Sequence, residues 1–265
     1  MRLNISVSTN VGKRRLNNED NFYADGKKFA NVISDNFSAS YEEDISEHGI
    51  FAVCDGMGGE SFGEVASAAA VKVLGKYRDI INSASDAREQ RDVINAYAKA
   101  ANDRICDDVI NSGGDRGGTT LTLACIRKNI IYMYYLGDSR IYMYRNGVLT
   151  RLTRDHTVAY RKVDSNVYTE EEAEKSPDRH KLTMFLGADE SKAGEISAEF
   201  AGSYTLTPGD RFLLCTDGLT DMCSTSEITE TLDSGEDDMA KRLVDRALAN
   251  GGSDNVTCIV IQVKG

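Results

Sequence analysis

The sequence predicts an α+β protein: a four-layer αββα sandwich, with two mainly antiparallel β-sheets flanked by helices. Three observations predict it. Strand-like runs come in series and helical spacing comes in blocks, without strict βαβ alternation. Short links such as Arg127-Lys128-Asn129 favour antiparallel neighbours. Several runs, IIYMYYL, RFLLC and TCIVIQV, are apolar nearly throughout, which calls for sheets covered on both faces.

The elements follow in order. β-Branched and aromatic runs place strands near residues 3–11, 21–24 and 49–54. Phe62, Val65, Ala69 and Val73 then recur at helical spacing, as do Ile94, Tyr97, Ala101, Ile105 and Val109, giving two helices with one apolar face each. The first of these begins near Glu60. Strands return at 118–127, 130–136 and 140–145, and Asn146-Gly147 turns the last into a hairpin with VLTRL. In TEEEAE (169–174), Thr169 and Glu172 have capping-box spacing and mark a short exposed helix. Strands near 196–202 and 210–215, a helix through Met239, Leu243 and Ala247 stopped at Gly251, and a strand over 255–263 complete the chain.

With 265 residues, 41% hydrophobic and 28% charged, and no Pro- or Ser-rich linker, residues 1–265 read as one domain with a sizeable core. No run approaches the roughly 18 apolar residues of a membrane helix, and MRLNISVSTN lacks the features of a signal peptide. A cytoplasmic protein without membrane insertion is expected. Cys54, Cys125, Cys215 and Cys258 lie in apolar runs, where a free thiol behaves as a small hydrophobe. There is no C-x-x-C pair, so reduced thiols are expected rather than a zinc site or a disulfide set. A net charge of -11 argues against nucleic acid and anionic membranes as partners.

That acidity has a pattern. FAVCDGMGG ends an apolar run on Asp55-Gly56, RFLLCTDGL does so on Asp217-Gly218, and IYMYYLGDSR on Gly137-Asp138, while SDNVTCIVIQV has Asp254 and Asn255 where a run begins. Asp-Gly is an ordinary turn dipeptide, but acids at four strand ends point to one shared rim. Close carboxylates repel one another, and a bound divalent cation removes the conflict. Oxygen-only ligands select hard ions, magnesium or manganese first. His48, His156 and His180 show no ligand spacing, so zinc is disfavoured. Gly56 lets its backbone carbonyl approach an ion, and in RRLNNED (14–20) two arginines precede Glu19 and Asp20. No Gly-Lys pair (12–13, 26–27, 75–76) is followed by Ser or Thr, and DGMGGESFG lacks the third glycine of a dinucleotide fingerprint.

Eight segments in order resemble the metal-dependent serine/threonine protein phosphatases of type 2C, in particular compact bacterial members: RLNNED (15–20), DGMGG (55–59) with GEVAS (63–67), GGTT (117–120), GDSRIY (137–142), LTRDHT (152–157), LTMFLG (182–187), TDGLTD (216–221) and SDNVT (253–257). The resemblance implies two divalent cations, Mn2+ or Mg2+. Asp55 would bridge them, the Gly56 carbonyl and Glu19 or Asp20 would assist, Asp217 and Asp254 would complete the set, and Asp138 would hold a third, weaker ion. It implies that Arg15 grips the substrate phosphate, that Asn255 supports the site, and that water attacks phosphorus directly.

No cysteine nucleophile is expected, since no cysteine is followed six residues later by the arginine of a cysteine-phosphatase loop. Met57 stands where many eukaryotic relatives have a histidine, leaving the leaving-group acid unassigned; His156 is read as a packing or turn residue. Met184 and Phe185 replace a pair that is often more polar in relatives, and tune packing or substrate access. Residues 157–195 correspond to a flap beside the site, whose acidity would favour basic phosphopeptides. The implied partners are phosphorylated proteins and a cognate Ser/Thr kinase, the implied state a monomer. A non-catalytic relative that binds partners through the same fold is the alternative.

Overall fold

In the computed structural model, residues 2–25, 36–44, 48–58, 62–189 and 194–265 are described. The strands are β1 (Arg2–Asn10), β2 (Asn21–Ala24), β3 (Asn36–Asp44), β4 (His48–Cys54), β5 (Gly56–Met57) and β6 (Gly118–Thr119). They continue with β7 (Leu121–Arg127), β8 (Ile130–Leu136), β9 (Arg140–Arg145), β10 (Val148–Arg151), β11 (Glu199–Thr205), β12 (Arg211–Cys215) and β13 (Val256–Val263). The helices are α1 (Phe62–Ser83), α2 (Ala87–Asn111), α3 (Val158–Asp164), α4 (Glu170–Lys175), α5 (Asp217–Thr220), α6 (Thr225–Asp233) and α7 (Met239–Ala249). None is long and apolar enough to cross a membrane.

One sheet has the order β10-β9-β12-β13-β1-β3, the other β11-β8-β7-β4-β2, and neighbours in both run antiparallel. Strand periodicity assigns the two faces. In β13, Ile259, Ile261 and Val263 face the opposing sheet, and Cys258 and Val260 face α6 and α7. Likewise, β4 sends Phe51 and Val53 between the sheets, and Ile50, Ala52 and Cys54 toward α1 and α2. Three cores thus separate four layers, and the expected αββα sandwich is present. Burial on both faces explains the uninterrupted apolar runs.

Local chemistry sets the boundaries. Asn146 and Gly147 both take positive φ, 53° and 81°, as a primed hairpin turn requires. Asp86 accepts from the N–H groups of Arg88 and Glu89 to start α2, and Thr169 with Glu172 forms the expected capping box on α4. All six cysteines are free, five of them buried.

Some elements differ from expectation. The 118–127 run is broken at Thr120 into β6 and β7, because Thr120 leaves the ladder to bond Asp55. The strand placed at 196–202 lies at Glu199–Thr205 and is bulged between Phe200 and Gly202. β3, α3 and α6 were not foreseen. The helix start near Glu60, Gly59 of DGMGG, the Gly26-Lys27 pair and flap residues 190–193 lie outside the described residues.

Candidate functional site

Strand register brings the acids together. Asn10 pairs with Val256 and Cys215 with Cys258, so the end of β1, the start of β13 and the end of β12 share one edge of their sheet. In the other sheet Asn21 pairs with Cys54, and Leu121 with Leu136, which aligns the ends of β4 and β8. Residues just beyond these termini therefore meet at one rim. There a cavity of about 640 Å3 is lined by Arg15, Glu19, Asp55, Gly56, Asp138, Asp217 and Asp254. Of the residues expected to hold metal or phosphate, only Asp20 does not line it. It lies behind, 8% exposed, where its Oδ2 accepts from the Thr216 hydroxyl at 3.0 Å.

Backbone contacts hold the acids in place. Asp55 donates its N–H to Thr120 Oγ1 (3.0 Å), and its carbonyl accepts from Thr120 N–H and the Thr119 hydroxyl, each at 2.9 Å. The Thr120 hydroxyl also meets that of Ser139 at 2.7 Å, tying the turn carrying Asp138 to the one carrying Asp55. Asn255 clamps the loop before β2: its Oδ1 accepts from Glu19 N–H at 2.8 Å, and its Nδ2 donates to the carbonyls of Val11 and Asn17. Glycine is required where chains cross. A Cβ on Gly56 would lie 2.2 Å from the Gly63 carbonyl oxygen, and one on Gly218 would lie 1.9 Å from that of Asn255.

Electrostatics separates this cavity from an ordinary polar surface. Burial pushes the Asp20 carboxyl up to about 8 against hydrogen bonds from Thr257 and Thr216, and Asp217 and Asp254 add to the rise. Asp55 and Asp138 are driven well above the carboxylate range, first by desolvation and then by neighbouring acids. Desolvation raises Glu19 as well. Arg15 Nη2 donates to Asp254 Oδ2 at 2.6 Å. Asp20 Oδ1, though buried, has no hydrogen-bond partner. The carboxylate oxygens of Glu19, Asp55, Asp138, Asp217 and Asp254 that line the cavity are a donor set that fits hard divalent cations.

Three further wall residues were not anticipated. Arg179 grips Asp221 with two N–H···O bonds (2.5 and 3.0 Å), and His180 lies 3.6 Å from Asp217 and 3.9 Å from Asp221. His180, Asp217 and Asp221 can offer ligand atoms within 4.8 Å of one another, a grouping of residues far apart in sequence that histidine spacing does not reveal. A hydrogen bond to Asp217 raises the His180 pKa. The second aspartate of TDGLTD was the available signal; nothing in PDRH shows that a one-turn helix will carry its histidine to the rim. His156 is elsewhere: its Nδ1 accepts from Gly137 N–H, its Nε2 pairs with Glu199, and its ring stacks on Tyr135, the turn role expected of it.

Known proteins share this arrangement of chain. The profile described as Protein phosphatase 2C matches residues 33–252. The serine/threonine protein phosphatase PstP of Mycobacterium tuberculosis is 33% identical over 263 residues, 98% of this chain, although the chain spans only 45% of that relative's length. Protein phosphatase PhpP of Streptococcus pneumoniae is 32% identical over 98% of both chains. The solved catalytic domain of PstP in complex with two manganese ions superposes with a TM-score of 0.77 at 30% identity, covering 100% of each chain. By sequence along nearly its whole length and by fold, the chain belongs to the protein phosphatase 2C family.

Proposed function

We propose that this protein is a phosphoprotein phosphatase that hydrolyses phosphoserine and phosphothreonine by direct attack of water at a binuclear manganese or magnesium centre. One observation carries the reading: acids from four distant strand ends converge on a single cavity and are left there without enough cations to neutralise them. Asp55, Asp217 and Asp254, with the Gly56 carbonyl and Glu19, would hold two ions; Asp138 would hold a third. Asp20, beneath them, would stiffen the set through Thr216. When bound, the cations supply Lewis acidity toward the phosphoryl oxygens and an activated water.

The chain supplies binding and orientation. Arg15 lines the cavity beside Asp254, and its planar fork retains donors that suit phosphate oxygens. The Thr119–Thr120 bonds fix Asp55 before any ligand arrives, so little rearrangement is needed at the moment of reaction. Residues 1–265 act as one catalytic domain, and 157–195 as a flap over its edge. The family relationship supports phosphorylated proteins as substrates; a cytoplasmic, monomeric enzyme that opposes a Ser/Thr kinase completes the proposal.

The test is turnover of a phosphothreonine peptide by purified protein with manganese and then with chelator. Hydrolysis that appears with the metal and stops with the chelator is expected. No turnover under either condition would make the partner-binding, non-catalytic reading the better one.

A further inference from the structure

Beside the acidic cavity lies a second one, of about 610 Å3, with a mainly apolar wall that also includes the exposed side chains of Asp115 and Arg116. Among the described residues, Met57 and Gly58 line both, so the two are joined across a shared ridge. Its far wall is built from Phe62 and Phe185, half-buried rings packed on the core between α1, α2 and their sheet. The size falls within the roughly 300–1,000 Å3 of ligand sites.

The register makes this wall rigid. Met57 of β5 pairs with Gly118 of β6, and Thr119 exchanges two 2.9 Å backbone hydrogen bonds with Leu186, the residue after Phe185. Met57, Gly118 and Phe185 are therefore fixed relative to one another by hydrogen-bonded backbone. The glycines make room for the two rings: a Cβ on Gly118 would lie 2.5 Å from the Phe185 ring, and one on Gly117 would lie 3.1 Å from Phe62 Cβ. The paired glycines let both aromatic residues lie against bare backbone next to the acids.

We infer that this second cavity is a specificity subsite that takes a bulky apolar side chain, of the leucine or phenylalanine type, from a residue flanking the phosphorylated one. The inference rests on the phosphatase reading and deepens it by naming a substrate class. Its warrant is continuity: a peptide whose phosphoryl group sits among the acids and whose chain crosses the Met57–Gly58 ridge presents its next side chains to this wall. At about 3.3–3.6 Å per extended residue, three positions on either side of the phosphoresidue span about 10 Å, the reach that a scan has to cover. Met57, Phe62 and Phe185 reward an apolar occupant through the surface it covers, while Asp115 and Arg116 stand exposed beside it.

The experiment is a positional scan. Phosphothreonine peptides otherwise made of glycine and serine carry one leucine or phenylalanine at each of the three positions on either side, and kcat/KM is measured with manganese. About a tenfold gain is expected at one or two positions on one side. In Phe185→Ser the ratio of the best apolar peptide to the all-polar peptide should fall to within twofold, and in Phe185→Leu it should remain several-fold. Equal kcat/KM across the wild-type scan, or a ratio untouched by Phe185→Ser, would overturn the subsite. If Phe185→Ser does not fold, the wild-type scan and Phe185→Leu decide alone. Failure to hydrolyse any peptide, the all-polar one included, would instead overturn the phosphatase reading.

Discussion

Two groups of acids sit near the same end of the sandwich and have opposite surroundings. Around α3 and α4, Asp155 and Glu174 share Arg140 and Arg151, and Asp178 is held by Lys162 and Lys181. Burial works to raise Glu174, but Arg140, Tyr160 and Arg151 outweigh it, and hydrogen bonds from the two lysines take Asp178 down to about 2. In the cavity, Asp20, Asp55 and Asp138 are pushed the other way. The contrast is sharpest within GDSR: Asp138 goes to the cavity, and Arg140, two residues on, goes to Asp155. The same residue type is held ionised where the chain provides its counter-charge, and is driven toward the protonated form where it does not.

The comparison can be broken by mutation. The largest effect should be on turnover: Asp55→Asn or Asp217→Asn is expected to cost more than about 100-fold, the upper range for outer partners of metal ligands. In chelator, Asp55→Asn should unfold at the same temperature as wild type or a higher one, since the amide is neutral without having to take up a proton. A lower melting temperature would mean that the acids are not in conflict. Arg140→Ala should behave in the opposite sense, losing about 3–5 kcal/mol of stability with or without metal, because it leaves Asp155 and Glu174 short of a buried partner. Denaturant melts of both variants provide the check.

Next in size is the effect of manganese itself. At a hundredfold excess over its Kd, wild type should gain about 2.7 kcal/mol, and Asp55→Asn should gain far less. Calorimetric titration and thermal melts measure both quantities.

The smallest effect is on pH dependence. A carboxyl whose folded pKa is raised holds its proton more tightly than in the unfolded chain, so its contribution is complete below about pH 4 and is lost as pH rises through the folded value. For Asp20 that window closes at about 8. In chelator, then, the melting temperature should fall between pH 5 and 8, and saturating manganese should flatten the trend. Asp178 works in the other direction: its contribution is present above about pH 4 and is lost as pH falls toward 2. A chelated protein whose stability rises from pH 5 to 8 would contradict the account of the cavity.

The layers and the rim were legible because both follow from patterns along single strands. An apolar run of seven residues reports coverage on two faces, and an acid at its end reports the edge. β3 was hidden because NFSASYEED alternates exposed and half-buried residues on an edge strand, with few apolar side chains to mark it. α6 carried a readable signal, the Ser224 and Glu227 capping box, but its nine residues bury only Ile228, Thr231 and Leu232. Arg179 and His180 could not be foreseen, since their place depends on how α3, α4 and the one-turn helix after them fold back over the rim. β11 begins three residues later than expected and carries a one-residue bulge between Phe200 and Gly202, neither of which a local pattern encodes.

The close approaches at Gly56, Gly63 and Gly218 carry a separate consequence, for how this chain tolerates change. Each is fenced by neighbouring backbone within 3 Å of where a side chain would begin. In a variant library sorted only for soluble expression, these three positions should be nearly invariant, while Asp55 and Asp217 admit amide and small polar replacements. Sorting the same library for hydrolysis should add the aspartates to the intolerant set. The difference between the two maps would separate the glycines that permit assembly from the acids the assembly exists to present.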